Sequence, residues 1–217
     1  ELLIEVIPDE QSNAVFFRRM YADRKSLSGD LPQALLEQLE SIASAYNVDV
    51  EDVERLEPWA AFSLIGRPEP VNASSQDQVI YENFSRSERK VTGLETMSEL
   101  IDTLAGLPED DQITILTDTI CNHSRIVADS ENLLNMYVRQ DLAGMVAFNQ
   151  QPHHDEAVFD RFMQRVLYNR NKKLLAKIRP ALDEGGYFIA VGALHLPDER
   201  GLLQALADAG YQISRVY

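Results

Sequence analysis

The chain has 217 residues, 45% of them hydrophobic, which suffices to bury a sizeable core and excludes a disordered tract. A formal net charge of −15 argues against a phosphate backbone or an anionic membrane surface as partner, so no nucleic acid is expected. Cys121 is the sole cysteine, which excludes an intrachain disulfide and a thiolate metal cluster, and no apolar run reaches the ~18 residues of a membrane span.

In chain order, LLIEVI at 2–7 reads as a strand with Glu5 near its end. It begins with nothing before it to pair or cap, and a preceding segment is expected. Val15, Phe16, Met20 and Tyr21 give 10–23 a helical spacing. A second helix follows, with Asp30 as N-cap and Pro32 in the first turn; Leu35, Leu36, Leu39, Ile42 and Ala43 form its inner stripe, and Asn47 ends it. Residues 48–66 supply another helix, entered afresh at Pro58, with Trp59, Phe62, Leu64 and Ile65 as core candidates. RPEPVNASS at 67–75 is a loop, and its sequon Asn72-Ala73-Ser74 carries no weight, since such triplets are common by chance.

A helix over 76–86 leads to a second strand, VTGLE at 91–95, which closes on Glu95. A short helix spans 97–104. From 112 to 149 apolar residues recur at threes and fours, through Ile115, Leu116, Ile120, Leu133, Leu134, Tyr137, Leu142, Met145 and Val146, predicting a long helical hairpin. His123 within it is expected to be solvated or hydrogen-bonded. His153 and His154 sit in a loop that can bind metal or simply lie at the surface, and the surface loop is the preferred reading.

The helix over 157–182 holds an anomaly: steps of four give Phe162, Val166, Arg170, Leu174 and Ile178, so Arg170 lies in an apolar row. An inward arginine needs carboxylates, because a buried unpaired guanidinium is costly, and Glu5 and Glu95 are candidates. The other reading is that Arg170 snorkels to the surface. YFIAV at 187–191 is apolar without alternation, which suits a strand covered on both faces; Gly192 marks its exit and His195 follows. A helix with Leu202, Leu203, Leu206 and Ala207 inward ends at Gly210, and YQISRVY at 211–217 reads as the last strand.

Together these elements predict an α/β (α+β) fold: a small central β-sheet wrapped by many α-helices, in one domain over 1–217 with a mainly helical insertion at 97–182. In open α/β sheets chemistry collects at the carboxyl ends of strands. If the strands ending at Glu5, Glu95 and His195 are parallel neighbours, two carboxylates and an imidazole meet at one edge, a candidate metal or acid/base site. A lone histidine past a buried strand also suits a hydrogen-bonded structural role.

The C-terminal stretch VGALHLPDERGLLQALADAGYQISRV, with its motif Gly192-Ala193-Leu194-His195, resembles the signature of the TraB/PrgY/GumN family, which includes the Tiki metalloproteases. Glu5 in LLIEV, EPWA at 57–60, TGLET around Glu95, and the pair Arg170-Asn171 in YNRNKKLLAKI extend the resemblance over nearly the whole chain. The family pattern has an earlier G-x-x-H that this sequence does not contain. The resemblance implies a divalent metal (Mn, Co or Zn) held between two such histidines with nearby glutamates, and one of those histidines is present. It also implies a metal-dependent hydrolase, a peptidase acting on a peptide or protein substrate, in a periplasmic or secreted setting.

On that reading His195, Glu5 and Glu95 are metal ligands, with a glutamate as general base and Arg170 orienting a carboxylate or stabilising an oxyanion. The rival is a non-catalytic regulatory or peptide-binding protein that keeps the fold.

Overall fold

The computed structural model describes residues 1–23, 27–71 and 73–216. Asn72 of the sequon lies outside the described residues, as does Tyr217 at the end of the expected last strand.

Three short parallel strands form the sheet: β1 (Leu2–Ile4), β2 (Val91–Gly93) and β3 (Phe188–Ala190), in the order β2-β1-β3. Leu2 lies level with Val91 and Phe188, and Ile4 with Gly93 and Ala190, so all three chains leave the sheet at the same edge. Parallel neighbours require long crossovers. The first is made by α1 (Glu10–Arg19), α2 (Leu27–Asp30), α3 (Gln33–Ala43), α4 (Val50–Val53), α5 (Pro58–Ile65) and α6 (Gln76–Arg86). The second, spanning the stretch read as an insertion, comprises α7 (Met97–Ala105), α8 (Glu109–Cys121), α9 (His123–Val138), α10 (Leu142–Asn149), α11 (Glu156–Met163), a π-helical turn (Gln164–Tyr168) and α12 (Asn169–Glu184). After β3 come a 3-10 turn (Ala193–His195) and α13 (Leu202–Asp208). The result is an α/β fold with a small sheet wrapped by helices. Among the described residues, no helix is long and apolar enough to cross a membrane.

Several local expectations need correction. The middle strand is β1, whose Leu2, Leu3 and Ile4 are all buried; β3 is an edge strand, and Phe188, 52% exposed, packs against Phe84 of α6. The unalternating apolar run predicts cover on both faces, but Phe188 is exposed and Ile189 and Ala190 are only half-buried. No strand forms over 211–216, because no apolar face finds a surface to bury against: Ile213 and Val216 stay exposed, while the Tyr211 hydroxyl donates to Asp183 of α12. Asp30 ends α2, and Pro32 precedes the first residue of α3. The hairpin expected over 112–149 is broken twice, at Asn122 and at Gln140, whose φ of 57° stops α9; Leu134 and Tyr137 are exposed. Ala207 is exposed as well.

Apolar burial divides into two clusters. The larger packs α3, α5 and α8 around Leu39, Trp59, Ile65, Leu116 and Ile120. The smaller lies between sheet and C-terminal helices: Leu3, Leu94, Leu174, Ile178, Ala181 and Leu202.

Candidate functional site

The shared edge of the sheet brings the polar strand ends together. Past Ile4 the parallel pairing continues, with Leu94 N–H donating to Ile4 O and Glu95 N–H to Glu5 O, both at 2.7 Å. The two glutamates are thus fixed by backbone before any side chain meets. On the other flank, Gly192 N–H donates to Glu5 Oε1. A Cβ at Gly192 would stand 3.2 Å from that oxygen and 3.6 Å from His195 Cδ2, so a side chain here crowds both residues. The 3-10 turn then carries His195 back over the edge, where it is buried.

Arg170 enters from α12. Its Nε donates to Glu95 Oε2 at 2.8 Å, and its Nη2 lies 2.7 Å from both Glu95 Oε2 and Glu5 Oε2. Nη1 donates to Val166 O at 3.1 Å and faces His195 Nε2 at 3.3 Å. The inward reading of Arg170 holds, with both expected carboxylates as partners. All four residues converge, and His195 Nε2 lies 3.6 Å from Glu5 Oε2.

The neighbouring residue sets the state of the histidine. Asn171 Nδ2 donates to Arg200 O at 2.9 Å, which orients the amide so that its Oδ1 faces His195 Nδ1 at 2.5 Å. The proton therefore sits on Nδ1, and Nε2 presents a lone pair toward Arg170 and Glu5. Burial pushes the His195 pKa below its ordinary 6.5, and the Arg170 charge adds to this while Glu5 and Glu95 oppose it. The Arg170 pKa moves up: burial opposes the charged form, but the hydrogen bonds and charges of Glu95 and Glu5 outweigh it. Two carboxylates thus share one guanidinium beside a neutral imidazole.

This donor set can be tested against a divalent ion. Glu5 Oε2, Glu95 Oε2 and His195 Nε2 are the atoms a cation would use, and all three face the guanidinium of Arg170. Among the described residues, no three His, Cys, Asp or Glu side chains stand where one ion could be held. As arranged, the residues present do not fit a divalent metal, because Arg170 occupies the position of the positive charge.

Of the other candidates, His153 stacks on Phe159 with its Nε2 3.2 Å from Asn149 O, and His154 is exposed, so the surface-loop reading holds. His123 Nε2 meets the Tyr46 hydroxyl at 3.0 Å. Cys121 is exposed and free. Sequence reasoning gave no role in the site to three contributors, although Asn171 and Gly192 stand in the stretches that carry the resemblance. Asn171 had a signal in standing next to Arg170, which places it about 100° round the helix. The Gly192 N–H had one in the glycine itself. Asp77, in the first turn of α6, had none; desolvation and then the charge of Glu5 raise its carboxyl pKa.

No curated protein and no solved structure matches the chain. A family model does, over residues 2–215, a span that holds both glutamates, the arginine and the histidine. By that match the chain belongs to the TraB/PrgY/gumN family.

Proposed function

We propose that the chain is a hydrolase of peptide bonds, with Glu5, Glu95, Arg170 and His195 as its centre. The observation that carries this reading is a buried, neutral histidine whose Nε2 lies 3.6 Å from a carboxylate and 3.3 Å from a guanidinium at the carboxyl edge of a parallel sheet. Glu5 is the more exposed of the two carboxylates, with 19% of its side chain accessible against 3% for Glu95. It is therefore the group that can take a proton from an attacking water. The water oxygen bonds to the substrate carbonyl carbon, the carbonyl oxygen becomes an oxyanion beside Arg170, and the proton passes from Glu5 to the leaving amine as the C–N bond breaks. Glu95 holds Arg170 in place, and His195, fixed by Asn171, lines the position where the water stands.

A divalent ion such as Mn²⁺, Co²⁺ or Zn²⁺ is the cofactor implied by kinship. It enters this reading as a competitor of Arg170 for the same oxygens, and no step above uses one. Isothermal titration of the three ions into wild-type chain and Arg170→Gln, together with cleavage assays on a peptide mixture with and without each ion, tests both parts. Cleavage that is lost in His195→Ala and Glu5→Gln supports the proposal. Tight ion binding with Arg170 in place overturns the competition, and absence of cleavage under every condition overturns the hydrolase.

A second reading, a non-catalytic peptide-binding or regulatory protein, is favoured by one observation. Every nitrogen of Arg170 already has a partner inside the cluster, as a purely structural network would require.

A further inference from the structure

A cavity of about 780 Å³, within the size range of small-ligand sites, is lined by Tyr168 and Asn169, the residues that precede Arg170 in the chain. The π-helical turn Gln164–Tyr168 makes one wall, and such turns are frequent at functional sites. Three arginines line the cavity. Arg161 is taken by buried Asp111, through Nε and Nη2 at 2.7 Å each. The other two are not taken by acid. Arg165 donates from Nε to Thr103 O at 2.5 Å and from Nη2 to Asp102 O at 3.0 Å; carbonyls fix a guanidinium without cancelling its charge. Arg200 lies over the Tyr168 ring, 3.4 Å from its centroid. Among the described residues, neither has a carboxylate within ion-pair distance, in a chain with 35 acidic residues against 20 Lys and Arg. Three acids also line the wall, Glu156, Asp160 and Asp198, and the single N–H that Glu156 and Asp198 each accept leaves their charge in place; among the described residues none of the three pairs with Arg165 or Arg200.

We infer that this cavity binds the carboxylate-bearing end of a peptide, with Arg165 and Arg200 as its anion receptors and Tyr168 as the platform that holds Arg200. Two held guanidiniums without acid partners suit a carboxylate, which takes paired N–H donors. The cavity also adjoins the cluster through one side chain: Asn171 donates to Arg200 O and orients His195. The ligand class rests on the peptide reading above, but binding does not require catalysis.

The experiment is fluorescence anisotropy with a labelled heptapeptide ending in a free carboxylate, and its amidated twin, on wild type, Arg165→Gln, Arg200→Gln and His195→Ala, each checked for folding by circular dichroism. The free acid should bind about tenfold more tightly than the amide. Arg200→Gln should abolish that preference, and His195→Ala should keep it. Arg165→Gln should also abolish it; if that variant fails to fold, Arg200→Gln decides alone. Equal binding of acid and amide, a preference that survives Arg200→Gln, or no saturable binding up to ~1 mM overturns the inference. A preference without cleavage leaves this site standing and removes the hydrolase, whereas cleavage without a preference removes this site alone.

Discussion

The cluster around Trp59 and the cluster under the sheet stand side by side yet are built differently. The first is held by apolar contact: Trp59 meets Phe16 edge-on at 5.8 Å, Phe62 meets Phe162 at 6.1 Å, and Leu39, Ile65, Leu116 and Ile120 are fully enclosed. The second has far fewer buried aliphatic residues and lies against Glu95, Arg170, Asn171 and His195, all buried and polar. Apolar packing degrades in proportion to the atoms removed. A buried polar network does not, because each member removed leaves another desolvated and unpaired. The sheet half should therefore tolerate conservative change worse than the helical half.

The sharpest test sets one variant from each half against the other. Trp59→Ala and Arg170→Ala should each cost about 3–5 kcal/mol in denaturant unfolding, the first by leaving a cavity and the second by stranding two carboxylates. The halves should separate on rescue: Trp59→Phe recovers much of the loss, whereas Arg170→Lys recovers little, since one ammonium cannot bridge Glu5 and Glu95 as the fork does. Wild-type stability in Arg170→Ala would erase the distinction.

Asn171→Ala comes next. It removes the acceptor for His195 Nδ1 and should cost about 1–3 kcal/mol, with nitrogen NMR of the imidazole showing the Nδ1–H tautomer lost. An unchanged tautomer would mean that something else orients the ring.

The halves should also fail in different pH windows. The folded His195 pKa lies below 6.5, so between that value and its folded value the unfolded chain binds more protons, and stability falls as pH drops through the window. The slope is at most about 1.4 kcal/mol per pH unit, and His195→Asn should flatten it. In the helical half, the hydrogen bond from Arg161 holds the Asp111 carboxyl below 3.8, so its contribution persists until pH falls beneath that value. Thermal melts between pH 3 and 8 should show two separate declines, the first missing in His195→Asn.

The smallest effect expected is that of Tyr46→Phe, where the hydroxyl donates to Arg67 O at 2.7 Å and meets His123; about 1 kcal/mol should be lost.

What could be read in advance follows the same division. Period-four spacing and strand-end chemistry are local signals, so the inward arginine, both of its carboxylates and the core residues of α3 and α5 were legible. The tautomer of His195 was not, since it depends on an amide oriented in turn by a backbone carbonyl from another segment. The edge position of β3 depends on which strands become neighbours, which an apolar run does not encode. Tyr211 to Val216 has strand-like residues, but strand propensity expresses packing, and no surface receives them.

The row of Phe162, Val166, Arg170, Leu174 and Ile178 looked like one stripe, yet Phe162 packs into the Trp59 cluster while Leu174 and Ile178 pack under the sheet. Between them lies the π turn, with one residue more in each hydrogen-bonded loop than an α-helix has. It acts as a phase shifter, letting a single rod present its apolar face to two bodies that do not lie in line. Inserting one further residue into 164–168 would turn everything downstream by about 100° and push it on by about 1.5 Å. Arg170 would then leave its carboxylates and the Leu174 face would leave the sheet, in a molecule whose composition had barely changed. Length, more than identity, is thus the constrained property of this segment, whereas the exposed face of α9 carries no comparable demand.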